Sequence, residues 1–526
     1  MSAVNRRQLL QGAMGGAFAS AMGLAVPQPN AGEFQLFWGD LHNHNNIGQA
    51  QGSIERTYDI ARSHLDFIAF MPHAQWHDMP EVPDAAQVKW AKGHEVTKER
   101  WPRVQEMAAE NNEPGKFVSF LGYEWHSSFF GDYCVYFPDD NRPLTYFDHV
   151  RKLQQFAREN RAIIIPHHLA YKLGARGANF DYFDPSVSPS IEIFSEHGLS
   201  ESDRGPGDYI RHSGGGRWTR NTVRAALARG IRAGFIASSD DHLGFPGAYG
   251  EGLAGIYAKE LTRKSLLEAL WARRTLAVTG DRIALNFRVN GKFLGSVLPF
   301  TAERALEVSA AGQDEIERID IVKNGRVIHR HFPADSVKPA APWPGTALCR
   351  LEYGWGPWGS LNIVRICDWD ITTTVRGGKL MSILPCFQSG PFDEKRRHRI
   401  IERNENSCRI QSYTSRKDAF EERATNSVVL HIVGERNAVL EVSITSPARL
   451  TIKKTLGELA ESNEIEFTGV YTSESILVHR LVMPDLFRAS FRVSDKGKGG
   501  QADWYYVRVC ESNGHMAWSS PIWVEA

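Results

Sequence analysis

The chain has 526 residues, 42% of them hydrophobic and 23% charged, with 61 basic and 61 acidic side chains. That length exceeds what one hydrophobic core sustains, so two or three domains are expected. A formal net charge of zero gives no global attraction to nucleic acid or an anionic membrane, which argues against polyanion binding as the main function.

The first 31 residues read as an export signal. Asn5-Arg6-Arg7-Gln8-Leu9-Leu10-Gln11 resembles a twin-arginine motif and precedes a weakly hydrophobic Gly/Ala-rich stretch. Gly23 and Ala25 suit a signal peptidase, and Pro27 and Pro29 close the segment. The expected partner is the twin-arginine export machinery and the expected destination the periplasm or the exterior. No later apolar run reaches the ~18 residues of a membrane span, so no membrane association is expected after cleavage.

Residues 32–282 alternate strand-like and helix-like stretches. Ser53 caps a helix running to about His64, and amphipathic stretches follow over 96–111, 149–160, 219–229 and 262–274. Gly230 sits where a helix would stop. Repeated βα units predict a parallel sheet, closed or nearly closed. Two insertions, 74–95 (with Trp76, His77, Trp90 and His94) and 172–218, are long enough to serve as lids or substrate loops.

Residues 283–526 change to period-two runs such as Ala284–Val289, Ile319–Val322 and Val439–Ile444, predicting a β-rich, sandwich-like region of one or two modules. Trp504–Val509 and Ala517–Val524 predict a terminal hairpin, and the charged tract 393–399 a solvated loop. The six cysteines (Cys134, Cys349, Cys367, Cys386, Cys408, Cys510) form no C-x-x-C pair, which removes zinc-finger and redox readings. A disulfide among the last five stays open.

Six apolar runs in the first half end in histidine or carboxylate, and 13 of the 19 histidines fall within residues 1–242. The runs lead to His42-Asn43-His44, Pro72-His73, Glu124 with His126, His167-His168, Glu196-His197 and Asp240-Asp241-His242. Imidazole and carboxylate are the donors of a divalent-metal cluster, and βα folds place such groups at the C-terminal ends of strands. His42 and His44 lie two apart on an extended backbone and reach one ion together. Glu124 offers two oxygens and can bridge. Nucleotide-binding glycine loops, the G-x-S-x-G elbow and H-E-x-x-H are absent from the sequence.

Taken in order, Asp40-Leu41-His42-Asn43-His44, Pro72-His73, Glu124, His167-His168 and Ser239-Asp240-Asp241-His242 resemble the polymerase-and-histidinol-phosphatase (PHP) superfamily. The Gly39–His44 opening and the Tyr506–Val509 and Trp518–Trp523 ending are most similar to a large bacterial branch of unknown function. The resemblance implies a distorted seven-stranded βα barrel with two divalent ions, or three, commonly Zn, Mn or Fe, that hydrolyses phosphoesters. His42, His44, Glu124 and Asp240 match its first metal position, with Glu124 bridging. His168, a better match than His167, and His197 match the second; His73 and His242 match a third. Met71-Pro72-His73 lacks the carboxylate the family often carries, and Asn45–Gln51 lacks the family's loop ligand. Both departures stand against a third ion.

The expected nucleophile is hydroxide between the metals, with Asp240, His197 or His242 handling its proton. Arg176, Arg204, Arg211 and Arg217 are candidates to hold the phosphate of a small-molecule substrate. Two rival readings remain: a metal-dependent hydrolase of carboxyl esters or amides, and a secreted binding protein with a degenerate site.

Overall fold

The computed structural model describes residues 33–81, 85–206, 216–338, 342–355, 366–415, 424–470 and 473–526. The signal segment and Arg211 therefore lie outside the described residues. None of the described helices is long and apolar enough to cross a membrane.

The strands of the first half are β1 (Gln35–Asn43), β2 (Phe67–Phe70), β3 (His73–Trp76), β4 (Val118–Phe120), β5 (Gly122–His126), β6 (Tyr133–Tyr136), β7 (Ile163–Pro166), β8 (Ser190–Ser195), β9 (Gly198–Leu199), β10 (Gly234–Ala237), β11 (Leu253–Ala258) and β12 (Thr275–Val278). Between them run α1 (Ile54–His64), α2 (Ala85–Glu110), α3 (Val150–Asn160), α4 (Val223–Ala228) and α5 (Arg263–Trp271). The fold is mixed α/β and rich in strands.

The predicted barrel does not form. Among the described residues these strands divide among three sheets: β12-β11-β1-β2-β4 within a larger sheet, β3-β5-β6-β7, and β10-β8-β9. Two features break the βα repeat that closure needs. β6 follows β5 without a helix and runs antiparallel to both β5 and β7, and β11 turns back antiparallel to β1. The free edge of β12 is then taken by Met516–Ser519, so the first sheet continues into C-terminal strands. That sheet spans the predicted boundary at residue 282. Elsewhere in the second half, a four-stranded sheet contains Ala284–Val289, and an eight-stranded sheet is built around Ile366–Cys386 and Asn426–Ser446, 21 residues each. The terminal hairpin forms, with Arg508 opposite Trp518.

Local sequence explains most elements near the site. Ser53 Oγ accepts the Arg56 amide and caps α1. Thr222 and Thr262 cap α4 and α5 in the same way. The first predicted insertion is largely regular: it supplies β3 and the N-terminal part of α2, which reaches 26 residues. The charged tract is largely irregular and partly exposed, as expected, but it is also tied to α1. Arg397 and Arg399 pair with Asp59 of α1, Glu394 accepts from Ser53, and Arg56 donates to the Asp393 carbonyl. None of the six cysteines is in a disulfide, and all six are buried.

β1 lies unusually close to β2. A Cβ on Gly39 would stand 2.3 Å from both the ring and the carbonyl oxygen of Phe67, its partner in register. Gly39→Ala is therefore expected to lower stability by roughly 1–3 kcal/mol, the cost of overpacking a core. Urea unfolding midpoints of the two proteins measure it.

Candidate metal centre

The end of β1 and the segment after β10 are laced together. Asp240 N donates to His42 O at 2.7 Å, and His44 N donates to Asp241 O at 3.0 Å. Asp40 secures the junction: it accepts from Ser239 N, Ser239 Oγ, Gly247 N and His42 N. With those lone pairs committed and burial raising its pKa to about 6, Asp40 is an organiser of the site. Strand alternation puts Glu124 and His126 on one face of β5, with Tyr123 and Trp125 buried on the other. His168 and Asp240 adopt left-handed backbone, φ +52° and +53°. Non-glycine residues held there cluster at functional sites.

Four donors converge at one point. His44 Nε2 lies 2.9 Å from Asp240 Oδ1 and 3.1 Å from His42 Nε2, while His42 Nε2 is 3.3 Å from Asp240 Oδ1. Glu124 Oε2 is 3.6 Å from His44 Nε2 and 3.9 Å from His42 Nε2. Donors sharing one tetrahedral ion stand about 3.4 Å apart when each bond is about 2.0–2.2 Å. The four residues match that spacing, and they are the four predicted for the first metal.

The other oxygens of the same carboxylates face a second group. Glu124 Oε1 is 2.7 Å from His167 Nε2, and Asp240 Oδ2 is 3.1 Å from His197 Nε2 and 3.6 Å from His168 Nε2. Both Glu124 and Asp240 thus lie between two sets of imidazoles, where only Glu124 was expected to. His167 and His168 both face this second group. His73 Nε2 approaches Glu124 Oε2 at 3.4 Å and its ring stacks on His44, 4.0 Å between centroids. His242 tilts against His44 at 4.5 Å. His44, His73 and His242 could hold an ion together, as could His73, Glu124 and His126.

The electrostatics fit cations. Burial opposes charge on both carboxyls, yet His126 and His167 hold Glu124, and His42 and His197 hold Asp240, well below their ordinary values. Burial pushes His44 down to about 3 and His73 and His168 well below normal, favouring the neutral, ligating imidazole, whereas Asp240, Cys134 and Glu192 hold His42 well above its ordinary value against its burial. Glu124 Oε2, His44 Nδ1 and His126 Nε2 are buried with no hydrogen-bond partner among the described residues. Stranding such atoms costs roughly 1–3 kcal/mol each, and an ion would satisfy those aimed at it. The residues present therefore fit divalent metal.

Several contributors were not assigned from sequence. Glu192, the one carboxylate in β8, contacts His42 Nδ1 at 3.3 Å and leaves Nε2 for the cluster. Glu196 fixes His242 Nδ1 at 2.9 Å. Asp132 lies 3.5 Å from His126 Nδ1 and pairs with Arg176 at 2.6 Å. A carboxylate inside the apolar run Ile191–Phe194 was the visible signal for Glu192; Asp132, in a short link between strands, left none. Of the predicted arginines, Arg176 reaches the cluster, stacked 5.0 Å over Trp76 with Nη2 3.5 Å from His126. Arg217 donates within its own loop, to Gly205 O, and Arg204 is exposed.

A family model described as a protein of unknown function (DUF3604) matches residues 47–134. Uncharacterized proteins of Chlamydia trachomatis and Chlamydia pneumoniae are each 26% identical over 57% of this chain. The match covers 49% of each relative, so the chain spans about half the length of the curated relatives it matches. A crystal structure from Bacteroides vulgatus, of a two-domain protein containing a predicted PHP-like metal-dependent phosphoesterase, aligns with 80% of this chain and 96% of its own. Its identity is 11% and its TM-score 0.30, a likeness from which nothing about this chain follows.

Proposed function

We propose that the protein is a metal-dependent hydrolase acting on phosphoesters of small molecules, a member of the PHP superfamily by its motif order. The observation that carries this reading is the pair of buried carboxylates, Glu124 and Asp240, each presenting both oxygens to separate sets of imidazoles. Divalent ions held there (Zn, Mn or Fe suit such donors) supply Lewis-acid charge, an activated water and a template for in-line displacement. His42, His44, Glu124 and Asp240 would hold one position and His167, His168 and His197, with the opposite carboxylate oxygens, the other.

The chain's own groups supply the rest. Arg176, braced by Asp132 and stacked on Trp76, presents a planar guanidinium beside His126, where it would hold an anionic substrate oxygen. The His242 side chain is 34% exposed at the edge of the cluster. Its Nδ1 is fixed by Glu196 and the Asp240 carbonyl, which leaves Nε2 to pass a proton to a leaving group. The expected place of action, outside the cytoplasm, rests on Arg6-Arg7 alone.

Metal analysis of purified protein should give at least two ions per chain. The loaded protein should hydrolyse aryl phosphomonoesters or diesters and lose that activity on chelation. Hydrolysis of carboxyl esters without any phosphoester would move the reading to the ester and amide class. Bound metal with no hydrolysis at all would favour a binding protein.

A further inference from the structure

We infer that the C-terminal hairpin is a working part of this centre, through Glu201, a positioning residue for His197. The inference rests on the metal reading above. Glu196 and His197 form the tip of a very short hairpin: β8 and β9 pair only at Phe194–Leu199 and Ser195–Gly198, and Gly198 turns with φ +112°. Two residue pairs are little to fix a tip, because strand pairing gains strength from length and from neighbouring strands. Glu196 N donates to Ser239 O at 3.0 Å and ties one side of the tip, so the place of His197 depends as well on what holds the returning strand.

Glu201 holds it. It lies two residues past β9, 1% exposed, and both its oxygens are filled. Oε1 accepts from Arg224 Nη2 at 2.7 Å, Tyr506 OH at 2.5 Å and Arg508 Nη1 at 3.0 Å. Oε2 accepts from Arg508 Nη1 at 2.9 Å and Trp518 Nε1 at 3.0 Å. Three of the four donor residues belong to the terminal strands Asp503–Glu511 and Met516–Ser519. Arg508 is braced in turn by buried Asp320, at 2.6 Å from Nη2. Burial opposes the charge on Glu201, but Arg508 and Arg224 hold its carboxyl below the ordinary value.

Buried charge networks are often replaceable by apolar side chains of equal volume without loss of stability, so this one points to directional fixing rather than stability. The direction leads to the metal cluster. Ser200 N donates to Ile193 O at 2.7 Å and ties the return strand to β8. At the tip, His197 Nε2 stands 3.1 Å from Asp240 Oδ2 and Glu196 Oε1 stands 2.9 Å from His242 Nδ1. His42 and Glu124 ride on β1 and β5, His44 follows β1 directly, and none of the three hydrogen-bonds to Glu201. Loosening Glu201 therefore weakens one metal position and spares the other.

Full-length wild type and variants are titrated with Mn²⁺ against a competing chelator, and thermal unfolding is followed on the same samples. Glu201→Gln should weaken one of the two ions by about 10- to 100-fold, the range for losing support behind a ligand, with the other unchanged. Tyr506→Phe and Trp518→Phe, which remove one donor each, should show the same selectivity at smaller size and decide the matter if Glu201→Gln does not fold. Asp320→Asn removes the brace from Arg508 but leaves Glu201 its other donors, and should show the same selectivity at smaller size. Wild-type affinities in the Glu201 and donor variants, or an equal loss of both ions in Glu201→Gln, would overturn the positioning role. A wild-type chain that binds no Mn²⁺ or other divalent ion would overturn the metal reading beneath it, and so is told apart.

Discussion

Glu124→Ala should strip metal from both positions at once, leaving less than one ion per chain after dialysis where His168→Ala leaves about one. The contrast follows from geometry. His168 faces Asp240 Oδ2, on the second side of the cluster, whereas Glu124 has Oε2 toward His42, His44 and His73 and Oε1 toward His167 and His126. Removing a group that merely hydrogen-bonds a ligand already costs about 10- to 100-fold in metal affinity, so loss of a shared ligand should cost at least ~10²-fold at each position. The fold should survive, because β5 is anchored by Tyr123 and Trp125 on its other face and hydrogen-bonded to both β3 and β6. Elemental analysis beside circular dichroism reads both outcomes. Full occupancy in Glu124→Ala would remove the bridging role and reduce the site to separate histidine pairs.

The cluster was legible in sequence because its chemistry is periodic and its residue types are distinctive. His42 with His44 and Asp240 with His242 each sit two apart at a strand end, and the structure brings each pair to the same centre. What alternation cannot encode is which carboxylate oxygen faces which ring, and so the shared position of Asp240 was missed. The barrel expectation had a different origin. Strand and helix alternate as a barrel requires through α1, but Tyr133–Tyr136 enters without a preceding helix and β11 reverses direction. The β5–β6 hairpin is local and its short run was not picked out, whereas β11 pairs with β1 across more than 200 residues, on which local pattern is silent. The C-terminal contribution was hidden for the same reason: Arg508 and Glu201 lie more than 300 residues apart. The docking of the charged tract on α1 was not legible because its partner, Asp59, lies on a helix over 330 residues earlier.

Asp240→Asn and Asp241→Asn differ by one position in the chain and should differ by about two orders of magnitude in rate. Asp240 contributes both oxygens to the cluster, and the amide that replaces them puts an NH₂ donor against His44 or His197 where an anionic acceptor stood. One ion would be held less tightly and the group able to take a proton would be gone, so kcat should fall by at least ~10²-fold, the scale of lost acid–base assistance. Asp241 is as deeply buried, but its Oδ1 accepts from the Leu243 and Phe245 amides and shapes the turn that follows. Burial, with Glu196 nearby, raises its pKa. Asn preserves the oxygen that accepts from the two amides, and Asp241→Asn should keep rate and metal content within a few-fold of wild type. Single-turnover rates on an aryl phosphoester, compared at matched metal occupancy, separate ligand loss from lost proton transfer. A larger fall in Asp241→Asn than in Asp240→Asn would reject the assignment, since the two side chains serve different faces of one turn.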